Sequence, residues 1–142
     1  MVNTPSEEWS KRKEIVRNEK ALVDRMKKAG VRILAGTDDG NPYSIPGFSL
    51  HDELAMLVEA GLTPMQALQA ATYDAAKFFG KLDSLGTVQK GKLADLVLLD
   101  ANPLDNIRNT VRINAVVVNG RYFATGELQN MLAQVGAASG KE

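Results

Sequence analysis

Trp9, Ile15, Val16, Leu22, Val23 and Met26 recur along the first thirty residues at helical spacing, with charged residues between them. Thr4-Pro5-Ser6-Glu7 precedes that stripe. Thr4 suits an N-cap, Pro5 the first helical position, and Glu7 can return a bond as in a capping box. Gly30 predicts the left-handed stop. The pattern then changes. Val31-Arg32-Ile33-Leu34-Ala35 is short, apolar and β-branched at two positions, and it predicts a buried strand. Helix, glycine, strand and loop in this order predict a piece of an α/β fold.

Residues 40–49, GNPYSIPGFS, hold two prolines and two glycines and predict an irregular loop at the carboxyl end of that strand. Ser49 with Asp52 is a second capping signal, for a helix through Glu59 that Gly61 ends. Thr63-Pro64-Met65-Gln66 repeats the opening grammar of the first helix and starts a third one reaching Phe79. Its face of Met65, Leu68, Ala71, Thr72, Ala75 and Phe79 is rich in small residues. After Gly80 the period shortens. Thr87-Val88, the turn Gln89-Lys90-Gly91-Lys92 and Ala94–Leu99 read as strand, turn, strand, and Asn102-Pro103 is a break. Ile113–Val118, Asn119-Gly120 and Arg121–Phe123 predict a hairpin with a type I′ turn. A short helix over Glu127–Val135 and a disordered tail AASGKE complete the reading.

The 142 residues suit one domain, with 44% apolar and 24% charged residues. Seventeen basic residues balance seventeen acidic ones, so no net field attracts nucleic acid or an anionic membrane. No apolar run approaches the roughly 18 residues of a membrane span, and MVNTPSEEWSKRKE is no secretory signal. There is no cysteine for disulfides, thiolate ligands or nucleophiles, and a cytoplasmic protein is expected. His51 is the only histidine. Catalytic zinc takes three protein ligands, mostly histidine, and a serine triad needs a histidine base. One chain therefore builds no ordinary zinc site.

The chemistry concentrates at AGTDDG, residues 35–40, where a strand stops at a glycine and presents two carboxylates. Asp38 is the candidate, and Asp39 reads as a solvated loop residue. His51 stands at the first turn of a helix beside the loop. The loop Asn41–Phe48, with Tyr43 and Phe48, reads as a lid or a plain connector. Ser44 and Ser49 have no evident base. Lys11-Arg12-Lys13 reads as a solvated face, and Gly91-Lys92-Leu93-Ala94-Asp95 as a structural turn.

AGTD at 35–38, HDELAMLVEAGLTPMQALQAAT at 51–72, LGTVQKGKLADLVLLDANPLDNI at 85–107 and INAVVVNG at 113–120 together resemble the C-terminal part of the amidohydrolase superfamily. The likeness lies close to the imidazolonepropionase-like and prolidase-like metal-dependent hydrolases. It implies an α/β fold, a partial (β/α)8 barrel of the last helix–strand–helix units, plus the C-terminal strands of a small β-sandwich. Residues 1–80 would be barrel, with Val31–Ala35 its eighth strand. Residues 81–125 would be the sandwich segment, and 126–142 a helix and tail. The resemblance assigns Asp38 as metal contact and catalytic base, and His51 as a substrate contact. The family's upstream His-x-His, its bridging Lys or Glu and its two later histidines have no counterpart here. The resemblance thus implies a divalent metal, zinc, in the complete enzyme, but none held tightly by this chain alone. Substrates of the family are small amides or cyclic amidines and ureides.

A parallel strand is paired on both edges, so Val31–Ala35 invites pairing with another chain. A homo-oligomer, or assembly with an N-terminal barrel part, is expected. Three readings follow. The chain is the C-terminal segment of a hydrolase, a free-standing non-catalytic oligomeric remnant, or a site built from Asp38 and His51 of several copies around a symmetry axis.

Overall fold

Leu54, Ala55 and Leu57 turn one face of a helix inward against Leu62, Ala67, Ala70 and Ile107, and this cluster is the core. The computed structural model describes residues 6–38 and 44–139. In chain order the elements are α1 (Ser6–Lys28), α2 (Ser49–Glu59), α3 (Pro64–Ala71), α4 (Tyr73–Phe78), β1 (Leu96–Leu99), a 3-10 helix (Ile107–Val111), β2 (Ile113–Val118), β3 (Arg121–Ala124) and α5 (Thr125–Ser139). Helices and one small antiparallel sheet make a mixed α/β fold, as expected. Thr4 and Pro5, Asp39 and the 40–43 part of the long loop lie outside the described residues.

Local signals translate directly into local structure. Gly30 takes φ +78. Its N–H bonds the Lys27 carbonyl while Val31 N–H reaches Met26, the paired bonds of a Schellman end. At α3, Thr63 N–H donates to Gln66 Oε1 (2.9 Å) and Gln66 N–H to Thr63 Oγ1 (3.2 Å), a complete capping box. Asn119 and Gly120 both have positive φ and turn β2 into β3. The sheet order is β1-β2-β3, with Leu96 opposite Val117 and Val116 opposite Phe123, and an irregularity between Leu98 and Leu99. The 3-10 helix packs against α2 and β1, and α5 against β2 and β3.

Several expectations are corrected. Val31–Ala35 is not a ladder strand: no strand stands beside it among the described residues, and a strand forms only with partners. It lies instead over the helices. Ile33 and Ala35 pack on the core and Ala35 N–H donates to the Ala70 carbonyl (3.2 Å), while Val31 stays 47% exposed. Thr87-Val88 forms no strand for the same reason, and Val88 is 84% exposed. The third helix breaks at Thr72 (φ −129, ψ −83), whose hydroxyl bonds back to the Leu68 carbonyl at 2.7 Å, an interaction that bends helices. Ser49 does not cap α2; the N-cap is Phe48, without a side-chain bond. The last helix begins at Thr125 and runs to Ser139, through residues expected to be disordered. On α1 only Val23 joins the core, and Trp9, Ile15, Val16, Leu22 and Met26 remain exposed.

Candidate functional site

Asp38 ends the extended 31–38 segment with φ +51, a left-handed conformation that aspartate adopts more readily than most residues. The two residues before it are tied down, one from α2 and one from the loop. Gly36 N–H donates to Glu53 Oε1 at 2.6 Å. The Thr37 carbonyl accepts from the Ser44 hydroxyl at 3.2 Å, and Ser44 Oγ lies 3.4 Å from Ser49 Oγ. Ser49, freed from capping, turns back into the loop, where its Oγ accepts from Ile45 N–H (2.6 Å) and donates to the Ile45 carbonyl (3.1 Å).

Gly36, Thr37, Ser44, Ser49, Asp52, Glu53 and Met56 line an open cleft of about 500 Å³. One side is hydroxyls and backbone, the other the first two turns of α2. Ser44 and Ser49 thus meet the segment leading to Asp38 through hydrogen bonds. His51 is not among the cleft residues. Its Nδ1 sits 3.1 Å from Thr110 Oγ1, on the 3-10 helix. A smaller hollow, about 160 Å³, lies at the Thr87–Leu96 turn. There Lys92 Nζ donates to Thr87 Oγ1 (2.6 Å), in keeping with a structural turn.

Glu53 is the site residue that the sequence reading missed. Leu57 and Ala60, four and seven residues on, are buried, so Glu53 is a carboxylate on the core stripe of α2. That misfit in the pattern was the available signal. Its Oε2 is buried and has no hydrogen-bond partner among the described residues.

The donor set does not by itself fit a catalytic metal. Among the described residues no group of three or more His, Cys, Asp or Glu side chains could hold one, whereas catalytic zinc takes three protein ligands.

Residues 8–122 match the amidohydrolase family. Imidazolonepropionase of Shouchella clausii is 37% identical over 100 residues, covering 69% of this chain and 22% of that protein. A crystallised Xaa-Pro dipeptidase superposes with a TM-score of 0.67 at 31% identity, over 74% of this chain and 25% of its own. The bottromycin amidohydrolase superposes with a TM-score of 0.84 at 29% identity, over 98% of this chain and 30% of its own. These relatives are hydrolases. The chain belongs to the amidohydrolase family, and it spans about a fifth of the length of the curated relatives it matches. Among the described residues no helix is long and apolar enough to cross a membrane.

Proposed function

We propose that the chain works as the C-terminal share of a metal-dependent amidohydrolase that hydrolyses a C–N bond in a small amide, cyclic amidine or ureide. In this reading residues 1–80 complete a (β/α)8 barrel, with Val31–Ala35 as its eighth strand. Residues 81–125 give the C-terminal strands of the small sandwich, and 126–142 its last helix and tail. The observation that carries the reading is Asp38, left-handed and next in the chain to Thr37 of the open cleft, within the stretch that matches the family. Exposed apolar side chains support it: Trp9, Ile15, Leu22, Phe79 and Val88 are each at least half exposed, which suits a part embedded in a larger body.

Asp38 is the metal contact and general base that this chain offers, and the histidine ligands belong to the remainder of the barrel. Its carboxylate takes the proton of the attacking water as the hydroxyl adds to the carbonyl or amidine carbon, and that proton passes to the departing nitrogen as the C–N bond breaks. His51 is the candidate substrate contact, through Nε2, since Nδ1 engages Thr110. A chain without cysteine suits the reducing cytoplasm.

The test is complementation. The chain is co-produced with the part of the bottromycin amidohydrolase outside its matched segment, and amide hydrolysis is measured with zinc present. Activity that Asp38→Asn removes is the expected result. A stable complex of the two parts that hydrolyses equally well with Asp38→Asn would sink the reading.

The exposed faces of α1 and of the 31–37 segment also favour a second reading, a non-catalytic homo-oligomer in which these surfaces cover one another.

A further inference from the structure

We infer that Glu53 is a positioning residue for Asp38, holding its backbone through the Gly36 amide; this rests on reading Asp38 as the reacting carboxylate. Glu53 occupies a core-stripe position on α2, where an apolar side chain would pack at no electrostatic cost. Its carboxylate instead places Oε1 2.6 Å from Gly36 N–H, while Oε2 is buried with no partner among the described residues. An orphaned carboxylate oxygen is costly. Gly36 is exposed, so water could satisfy its N–H. The Glu53 bond is therefore not needed to satisfy that donor. Its effect is geometric: it ties residue 36 to the first turns of α2.

The other side of the same peptide run is tied as well, by the Ser44 hydroxyl on the Thr37 carbonyl. Asp38 follows at once, in a φ of +51. A non-glycine residue keeps a left-handed backbone only where its surroundings over-determine it. Two side chains gripping residues 36 and 37 contribute to that constraint. Glu53 makes the shorter of the two bonds, 2.6 Å against 3.2 Å. Glu53 touches neither water nor substrate in this scheme. It acts through the backbone.

The experiment uses the full chain and amide-resolved NMR. A strong intraresidue amide–Hα cross-peak at Asp38 marks its positive φ, and hydrogen exchange at Gly36 reports the bond. In Glu53→Ala, exchange at Gly36 quickens about tenfold, the Asp38 cross-peak weakens, and the amides of Ala67 and Ala70 keep their protection. Glu53→Asp keeps the charge but shortens the reach by one methylene, and gives the same losses with less risk to folding. Glu53→Gln, whose amide oxygen accepts from Gly36, restores both signals. An unchanged Asp38 signature in Glu53→Asp, or its loss in Glu53→Gln with the core amides intact, overturns the inference. In the complemented enzyme, Glu53→Asp lowers kcat and leaves KM unchanged. Activity insensitive to Asp38→Asn refutes the reading of Asp38. Activity lost in Asp38→Asn but with full kcat in Glu53→Asp refutes the role of Glu53.

Discussion

His51 Nδ1 lies 3.1 Å from Thr110 Oγ1, and the buried Thr110 hydroxyl donates onward to the Ile107 carbonyl at 2.9 Å. With its one proton committed, Thr110 can only accept from His51, so Nδ1 carries the hydrogen. The pair pins α2 to the 3-10 helix. Thr110→Val removes the acceptor at nearly constant volume and should cost about 1 kcal/mol, while Thr110→Ser should cost less. Urea denaturation midpoints check this, and equal midpoints for wild type and Thr110→Val would refute the bond's contribution.

Glu59 receives Lys20 Nζ and Arg108 Nη2, which joins α1 and the 3-10 helix to the end of α2. The hydrogen bond and charge of Lys20 hold its carboxyl below the ordinary 4.5; desolvation opposes them, and the charge and bond of Arg108 each add a smaller lowering. A carboxylate whose folded pKa is depressed contributes stability that is present above its unfolded pKa and disappears as pH falls through the folded value. Stability should thus drop below pH 4.5, less steeply in Glu59→Gln, and molar salt should flatten the difference. Parallel slopes for the two proteins in acid would count against this.

Gly86 packs into the break between α3 and α4. A Cβ there would lie 2.6 Å from Ala76 Cβ and 3.2 Å from the Thr72 carbonyl oxygen, at φ +84. Gly86→Ala should therefore destabilise by about 3 kcal/mol, combining overpacking and left-handed strain. Gly91 has a similar φ of +93 but open space around it, so Gly91→Ala should cost only the strain, about 1 kcal/mol. Thermal unfolding of the pair separates the two causes.

Asp38→Asn should keep the left-handed backbone, which asparagine adopts as readily as aspartate, and the intraresidue amide–Hα cross-peak checks this. In the complemented enzyme the same change should cost about a thousandfold in kcat, the usual scale of a lost general base. Loss of the cross-peak in Asp38→Asn would mean that the charge of the carboxylate, not the backbone ties, sets the conformation.

Alone, the chain should self-associate at micromolar concentration through the faces of α1 and the 31–37 segment, without retaining zinc. Native mass spectrometry after zinc saturation reads both at once. A monomer, or one zinc per assembly lost in Asp38→Ala, would overturn this expectation.

Local signals in this chain act over a few residues and were legible as written. Thr63 and Gln66 are three apart and close their own box. Asn119-Gly120 makes its own turn, and Gly30 ends its own helix. AGTDDG marked Asp38 as the residue to watch, and the resemblance of four stretches marked the family that residues 8–122 match. Tertiary packing decided the rest. Val31–Ala35 has every local mark of a strand, yet a ladder requires neighbours, and it lies over helices instead. Ser49 looked like a cap until the loop offered Ile45 as a nearer partner. Thr72 bends a helix that its neighbours would have continued. Glu53 stands out only as a carboxylate on an apolar stripe, and the approach of Gly36 across 17 positions gives that carboxylate its partner. Propensity and capping are written in adjacent residues, whereas pairing and polar satisfaction depend on which distant atoms arrive.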